Sequence, residues 1–401
     1  MKDIRILKNT IQEYEWGSHT EIAELLGEKS PSLRPQAELW MGAHPKAPSK
    51  VEIGKRWVSL AEVIDRDPCE VLGKETAEKF CGRLPFLFKV LAAAKPLSIQ
   101  AHPDMEQAKE GFERENLLGI PPDSPVRNYR DDMHKPEILC ALKTFWALNG
   151  FRKIDRIVRN MKLFCPDAMK TETDDLEKRQ NPRGLQFFFE AMMKMEPARK
   201  KKVIDEVVRT AGQGDGEDPE RKWILSIYRE YPSDIGVLSP LYLNLIRLAP
   251  GQAMFLPARR LHAYLEGLGI ELMANSDNVL RGGLTAKHVD VPELLKTLAF
   301  EGDDAPILFP REKQEGEVVY PCPAEEFVLS VIRLKEGVAH TAKGKRGVEM
   351  AICTQGSAAV VDIGTGKTLR LERGASAIIP ASVESYTVWG NAILYKAAVP
   401  V

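Results

Sequence analysis

The stretch LYLNLIRLAPGQAMFLPA, residues 241–258, decides the fold. An apolar run ends at Pro250-Gly251, a second short run follows, and Pro257 stops it. Short apolar runs punctuated by Gly and Pro read as strands, and IELMANS at 270–276 continues the pattern. The unit recurs: Gly251-x5-Pro257-Ala-x3-His262-x-Tyr264 is matched by Gly374-x5-Pro380-Ala-x3-Ser385-Tyr386. In each copy a glycine turn feeds a short strand and proline ends it. Two copies of a β-roll unit give this pattern, the second carrying Ser385 where the first carries His262.

Outward from these copies the texture changes. Toward the C-terminus, FVLSVIRL, VEMAICT, SAAVVDI, SAIIPA and AILYKAAV are separated by glycine-containing turns, which suits an antiparallel sandwich or barrel. VPELLKTLAF at 291–300 reads as a short helix, and the polar, Pro-rich residues 301–325 read as a connection. Upstream, IDRIVRNMKLF, LQFFFEAMMKM, ARKKKVIDEVVRTA and PERKWILSIYREY place apolar residues at helical spacing. With strands on both sides, residues 151–232 form an all-helical insertion, and Arg199-Lys-Lys-Lys202 is a solvated helix face. Near the start, Pro96-Leu-Ser-Ile-Gln-Ala-His102 alternates like a strand, and Asp104 caps a helix over 104–118. Three regions follow: a β-rich domain from 1–150 and 233–300, the helical insertion at 151–232, and a β domain at 301–401.

Composition narrows the function. The 401 residues carry 56 basic and 57 acidic side chains, a formal charge of −1, and are 44% hydrophobic. A disordered or fibrous chain is excluded, and a general nucleic-acid or membrane-surface binder is disfavoured. The six cysteines form no C-x-x-C pair and read as reduced thiols. The charged N-terminal residues Lys2, Asp3 and Arg5 do not resemble a secretory signal, and no apolar stretch is long enough to span a membrane. The expectation is a cytoplasmic protein.

Four segments offer chemistry. On a strand, Ser98, Gln100 and His102 share one face while Ile99 and Ala101 share the other. In His134-Lys-Pro-Glu137, Pro136 stiffens the corner from which Glu137 enters the apolar run Ile138–Leu142. A carboxylate there needs an ionic or metal partner. His262 and Tyr264 share a further strand face. Gln100, His102, Glu137 and His262 together make an amide, a carboxylate and two imidazoles, suited to Zn2+ and acceptable to other divalent first-row metals. Spacing alone leaves this one candidate set among several. The fourth segment runs from Glu271 to Lys287, where Arg281 beside Gly282-Gly283, then Thr285 and Lys287, suit a phosphate or an enediolate oxygen. No Walker loop or G-x-G-x-x-G occurs, which disfavours a nucleotide substrate.

PLSIQAHPD at 96–104, HKPE at 134–137, PARRLHAYLEG at 257–267 and NSDNVLRGGLTAK at 275–287 resemble the signatures of type I phosphomannose isomerases. YEWGS at 14–18, AELWMGAHPKAPS at 37–49 and LPFLFKVL at 84–91 do so as well. The resemblance implies a mainly β protein of cupin-type β-rolls, an antiparallel jelly-roll architecture with a helical insertion. It implies an intramolecular oxidoreductase of carbohydrate metabolism, feeding GDP-mannose biosynthesis, that interconverts mannose 6-phosphate and fructose 6-phosphate. It assigns one zinc ion per chain to Gln100, His102, Glu137 and His262, and an active-site role to Arg281. Lys89, Ser98, Lys135, Tyr264, Asp277 and Lys287 match pocket positions. Within that reading, Ser98, Lys89 and Lys287 contact phosphate, Arg281 meets oxyanion charge, and Asp277 or Lys135 moves the proton through a cis-enediol. The expected partner is a small sugar phosphate, with no nucleic acid or membrane, and the chain is expected to be a monomer. A non-catalytic cupin-like sugar-phosphate binder and an Fe2+ cupin oxygenase are the competing classes. Two departures stand out: Arg259 replaces the family's usual glycine, so that turn is expected to avoid positive φ or to shift, and Met133 replaces an asparagine.

Overall fold

The computed structural model describes residues 1–214, 217–342 and 344–400. Ten strands form one sheet system, nine form a second, and a separate hairpin pairs Lys50–Ile53 with Arg56–Ser59. The ten-stranded system is a roll organised around the long strand His262–Ala274. Its first half pairs with Phe145–Phe151 and Ile99–Ala101, and its second half pairs with Phe86–Ala93 and Glu137–Ala141. One strand therefore belongs to both walls, and it turns between them at Gly267. A Cβ there would lie 2.7 Å from the Thr144 carbonyl, so only glycine permits this approach.

The two repeat copies are real structural equivalents. Gly251 and Gly374 take φ of 83° and 85°, which favours glycine, and they feed the strands Ala253–Leu256 and Ser376–Ile379. The second copy lies in the nine-stranded C-terminal roll.

The first roll is covered on both sides. Outward side chains Phe86, Phe88, Val90, Ile138, Cys140, Ile270 and Leu272 pack against Tyr320, Phe327, Leu329, Met350 and Tyr395 of the C-terminal roll. On the other side Ile99, Ala101, Ala263 and Leu265 pack against the helices. Burying both faces explains why Phe86–Ala93 reads as an almost continuous apolar run rather than an alternating one. At about 1.5–3 kcal/mol for each large apolar side chain, these two seams fix the roll rigidly.

The insertion consists of Ile154–Phe164, Lys170–Lys178, Pro182–Met193, Pro197–Gly212 and Pro219–Glu230. Proline opens the last three, and Asn181 and Asp218 cap two of those through their side chains. The helix Met105–Leu117 starts with a reciprocal capping box: Asp104 accepts from the Gln107 N–H, and the Gln107 side chain accepts from the Asp104 N–H.

Two expectations are corrected. Residues 301–325 are more than a connection, because Arg311–Gln314 and Glu317–Val319 form a hairpin that joins the C-terminal sheet. Its signal was masked by charge: Glu317 is buried and finds its nearest cation in the distant Lys396. At the other end, Arg5–Ile6 pairs with Ser376–Ile379, so the start of the chain lies on the C-terminal roll rather than the first one.

Lys396 sits 2.9 Å from Glu317 and 3.1 Å from Glu349 inside the C-terminal roll, with Lys313 and His340 also facing Glu317. Burial would raise Glu317, but Lys396 overrides it and pulls the carboxyl down to about 2. This stability is complete above the ordinary glutamate value of 4.5 and is lost as pH falls through that value toward about 2. Lys396→Ala removes the cation shared by two buried carboxylates, leaving Glu317 to Lys313 and Glu349 to Arg346, and should cost about 3 kcal/mol, read by chemical denaturation at neutral pH.

Candidate metal centre

The centre is a row across three strands. Gln100 stands opposite His262 on one side and Arg281 on the other, which places the three side chains on one face. His102 follows Gln100 by one strand step. From the opposite wall, Glu137 begins the strand Glu137–Ala141 immediately after Pro136. His102, Glu137 and His262 are all buried, and one ligand atom from each lies within 4.8 Å of the others.

Backbone carbonyls set both imidazoles. His102 Nδ1 donates to the Asn278 carbonyl at 2.6 Å, and His262 Nδ1 donates to the Arg260 carbonyl at 3.0 Å. Each ring therefore turns its Nε2 lone pair inward, and neither buried Nε2 has a hydrogen-bond partner. These atoms lie 3.4 and 3.5 Å from the two Glu137 oxygens. Burial and Lys135 push His102 down to about 4, so its imidazole is neutral at pH 7. Burial would raise Glu137, but Lys135 at 3.0 Å holds it well below the usual carboxylate range. A carboxylate and two inward imidazole lone pairs are a donor set for a divalent cation.

The centre forms the floor of a cavity of about 450 Å³. Ser98, Gln100, Lys135, Tyr264 and Lys89 line its walls, with Arg281, Thr285 and Lys287 on one side. Arg281 and Lys287 have no ion-pair partner among the described residues. Burial and the neighbouring Arg130 lower Arg281, and burial and Arg281 lower Lys287. Crowded cations of this kind attract an anion. A larger cleft of about 530 Å³ lies between the rolls, lined in part by Lys143, Arg333 and Arg373. No metal-ligand cluster lines it among the described residues.

Not every expected residue faces the cavity in the expected way. Asp277 is turned away into an ion pair with Lys46 at 2.9 Å and His44 at 3.5 Å. Burial would raise its carboxyl, yet these partners hold it far below the ordinary value, which makes it a weak base. Lys89 lines the cavity but donates to Glu271 at 2.8 Å, lies 3.6 Å from Glu38, and rests over the Trp40 ring. Burial would lower Lys89, and Glu271 and Glu38 reverse that, so it stays charged and already carries two carboxylates. Its ammonium therefore reaches the cavity already paired to Glu271 and Glu38. Tyr264 is likewise held, donating to Glu271 at 2.8 Å.

Arg259 corrects an expectation. The turn keeps φ of 67° with arginine in place, costing about 1–2 kcal/mol. Arg259 N–H donates to the His102 carbonyl, its own carbonyl accepts from Ala299, and Nε donates to the Thr297 carbonyl. Met133 is tolerated because its backbone carbonyl does the work there, accepting from Asn278 and Ser276. His134 turns to Glu326 at 2.6 Å.

Sequence reasoning passed over Glu38, Arg130 and Tyr231, and gave no role to Glu271 and Asn278 within the fourth segment. Glu271 was detectable as a carboxylate inside the apolar run IELMA. Asn278 acts on His102 through its backbone, which leaves no side-chain signature.

Fold and site together define a β-roll metal-site protein of the cupin fold, with a cation-flanked cavity above the metal ligands. A profile of the phosphomannose isomerase type I catalytic domain matches residues 4–154. Mannose-6-phosphate isomerase of Escherichia coli is 40% identical over 393 residues, spanning 97% of this chain and 98% of the relative. The Homo sapiens enzyme of that name is 32% identical, with 94% and 93% covered. A zinc-bound mannose 6-phosphate isomerase structure superposes with a TM-score of 0.92 at 37% identity, covering 99% of this chain and all of the other. A variant of phosphomannose isomerase from Salmonella typhimurium gives 0.93 at 37% identity, with the same coverage. The chain belongs to the type I phosphomannose isomerase family.

One divalent ion should copurify per chain. His262→Ala should retain less than about a tenth of it by elemental analysis, whereas Asp277→Asn should retain it fully.

Proposed function

We propose that this chain is a zinc-dependent aldose–ketose isomerase that interconverts mannose 6-phosphate and fructose 6-phosphate. The observation that carries this reading is the pair of buried, unpartnered Nε2 atoms beside Glu137, placed beneath a cavity whose side wall holds Arg281 and Lys287. Gln100, His102, Glu137 and His262 would hold the metal, Gln100 through its amide oxygen. Zinc bound there supplies Lewis acidity toward the sugar oxygens.

The remaining chemistry belongs to side chains. Moving hydrogen between C1 and C2 through a cis-enediol takes one proton from C2 and returns it to C1, while the C2 hydroxyl proton passes to the C1 oxygen. Lys135 Nζ is our choice for that transfer: it faces the cavity, whereas Asp277 is bound to Lys46 and His44, and it would take the proton as the free amine after releasing its own proton from the pair with Glu137. Arg281 meets the oxyanion charge that develops on the sugar, in a setting where a fixed cation acts strongly. Ser98 and Lys287 bind the phosphate. Lys89 fixes Glu38 and Glu271 at the wall, and Glu271 in turn orients Tyr264 beside Glu137. The insertion and the C-terminal roll hold the first roll in shape. Among the described residues, no helix is long and apolar enough to cross a membrane. We take the protein to act as a cytoplasmic monomer on a small sugar phosphate, without nucleic acid or membrane.

A coupled isomerase assay tests the assignments. Arg281→Ala should lower kcat by about 100- to 1,000-fold with metal content unchanged. Lys135→Met should lower kcat at least about a hundredfold while KM stays near wild type. Wild-type-like turnover in Lys135→Met would remove Lys135 from the proton path.

A further inference from the structure

The segment that carries Arg281 and Lys287 is not held by the roll alone. It leaves the strand Leu280–Gly283 in an unusual conformation, with φ of 136° at Gly283 and 52° at Leu284. A buried leucine in the left-handed region is strained and persists only where its surroundings impose it. The imposing contact comes from the chain leaving the helical insertion. Asp234 accepts the Gly236 N–H at 2.7 Å through one carboxylate oxygen and the Thr285 N–H at 3.2 Å through the other.

The fit is tight from both directions. A Cβ on Gly283 would lie 3.0 Å from Asp234 Oδ1, and a Cβ on Gly236 would lie 2.8 Å from the Leu284 side chain. Leu284 itself enters the core shared with the insertion helices, beside Ile235 and Leu238. Just upstream, Tyr231 lines the cavity and donates from its hydroxyl to the Pro96 carbonyl, two residues before Ser98. The exit of the insertion thus touches both segments assigned to the phosphate.

We propose that Asp234 is a positioning residue: its carboxylate clamps residues 283–285 to the insertion's exit and so sets where Arg281 and Lys287 stand in the cavity. This deepens the function proposed above and rests on its placement of those cations at the sugar phosphate. Asp234 contacts no reacting atom. Its effect passes through the Thr285 N–H and the Gly283 backbone. The insertion then has a part in substrate binding without contributing a catalytic group.

The test uses the full-length, metal-loaded protein, with inorganic phosphate as a competitive inhibitor and as a calorimetric ligand. In Asp234→Ala, the KM for mannose 6-phosphate and the inhibition constant of phosphate should rise together by about tenfold, the size expected for one lost charge-assisted hydrogen bond. Metal content should stay at the wild-type level and Tm within a few degrees. Gly283→Ala keeps Asp234 but intrudes on its carboxylate, and should raise both constants in the same sense. Asp234→Asn should fall between, because one amide oxygen can accept only one of the two N–H groups well. The double variant Asp234→Ala, Gly283→Ala should be no worse than the weaker single one. Unchanged phosphate inhibition in Asp234→Ala would overturn the proposal. So would weakened inhibition that appears only alongside lost metal or a collapsed Tm, since that is general unfolding. If the wild-type protein showed no isomerase turnover, the proposed function would fail by itself. The calorimetric phosphate affinity of wild type against Asp234→Ala would still decide the positioning role.

Discussion

The structure depends on two imidazole lone pairs that the protein leaves unsatisfied. The Asn278 and Arg260 carbonyls take the Nδ1 protons of His102 and His262, so both Nε2 atoms must face inward toward Glu137. Burying such groups without a partner is costly, and a carboxylate alone cannot donate to them. Only a cation, or protonation that burial opposes, balances the set. The rest of the molecule can be understood as what holds these three side chains at that distance despite the cost.

Rigidity comes from layering. The strand His262–Ala274 serves both walls of the roll, so it carries His262 at one end and Glu271 on the other wall. The insertion helices press on one wall and the C-terminal roll presses on the other. A single roll with one exposed face could flex at its floor; one packed on both faces has little freedom to do so. The second roll repeats the glycine turn at Gly374 but fills its interior with the Lys396 ion cluster. The two copies of one unit have thus diverged into a site and a support.

Much of this was legible in the sequence, for physical reasons. The glycine–proline punctuation gave the strands because φ near 84° and a strand stop leave few alternative residues. The helical insertion showed as 3.6-residue periodicity, and the alternation of Ser98 and Gln100 against Ile99 and Ala101 separated cavity from core, with His102 buried beneath the cavity. What stayed hidden acts through backbone atoms or distant pairs. The Asn278 carbonyl has no side-chain signal. Asp277 looked free until His44 and Lys46, more than two hundred residues earlier, came into contact with it. Arg259 was expected to change its turn, and three hydrogen bonds kept the turn instead. The hairpin at 311–319 was concealed because its buried glutamate pairs most closely with a lysine near the C-terminus.

The most direct measurement is isomerase activity and zinc content on the same samples during graded chelation and readdition. The account predicts that activity falls and returns in proportion to zinc, reaching its full value at one ion per chain. Full turnover of mannose 6-phosphate in metal-free protein would contradict it.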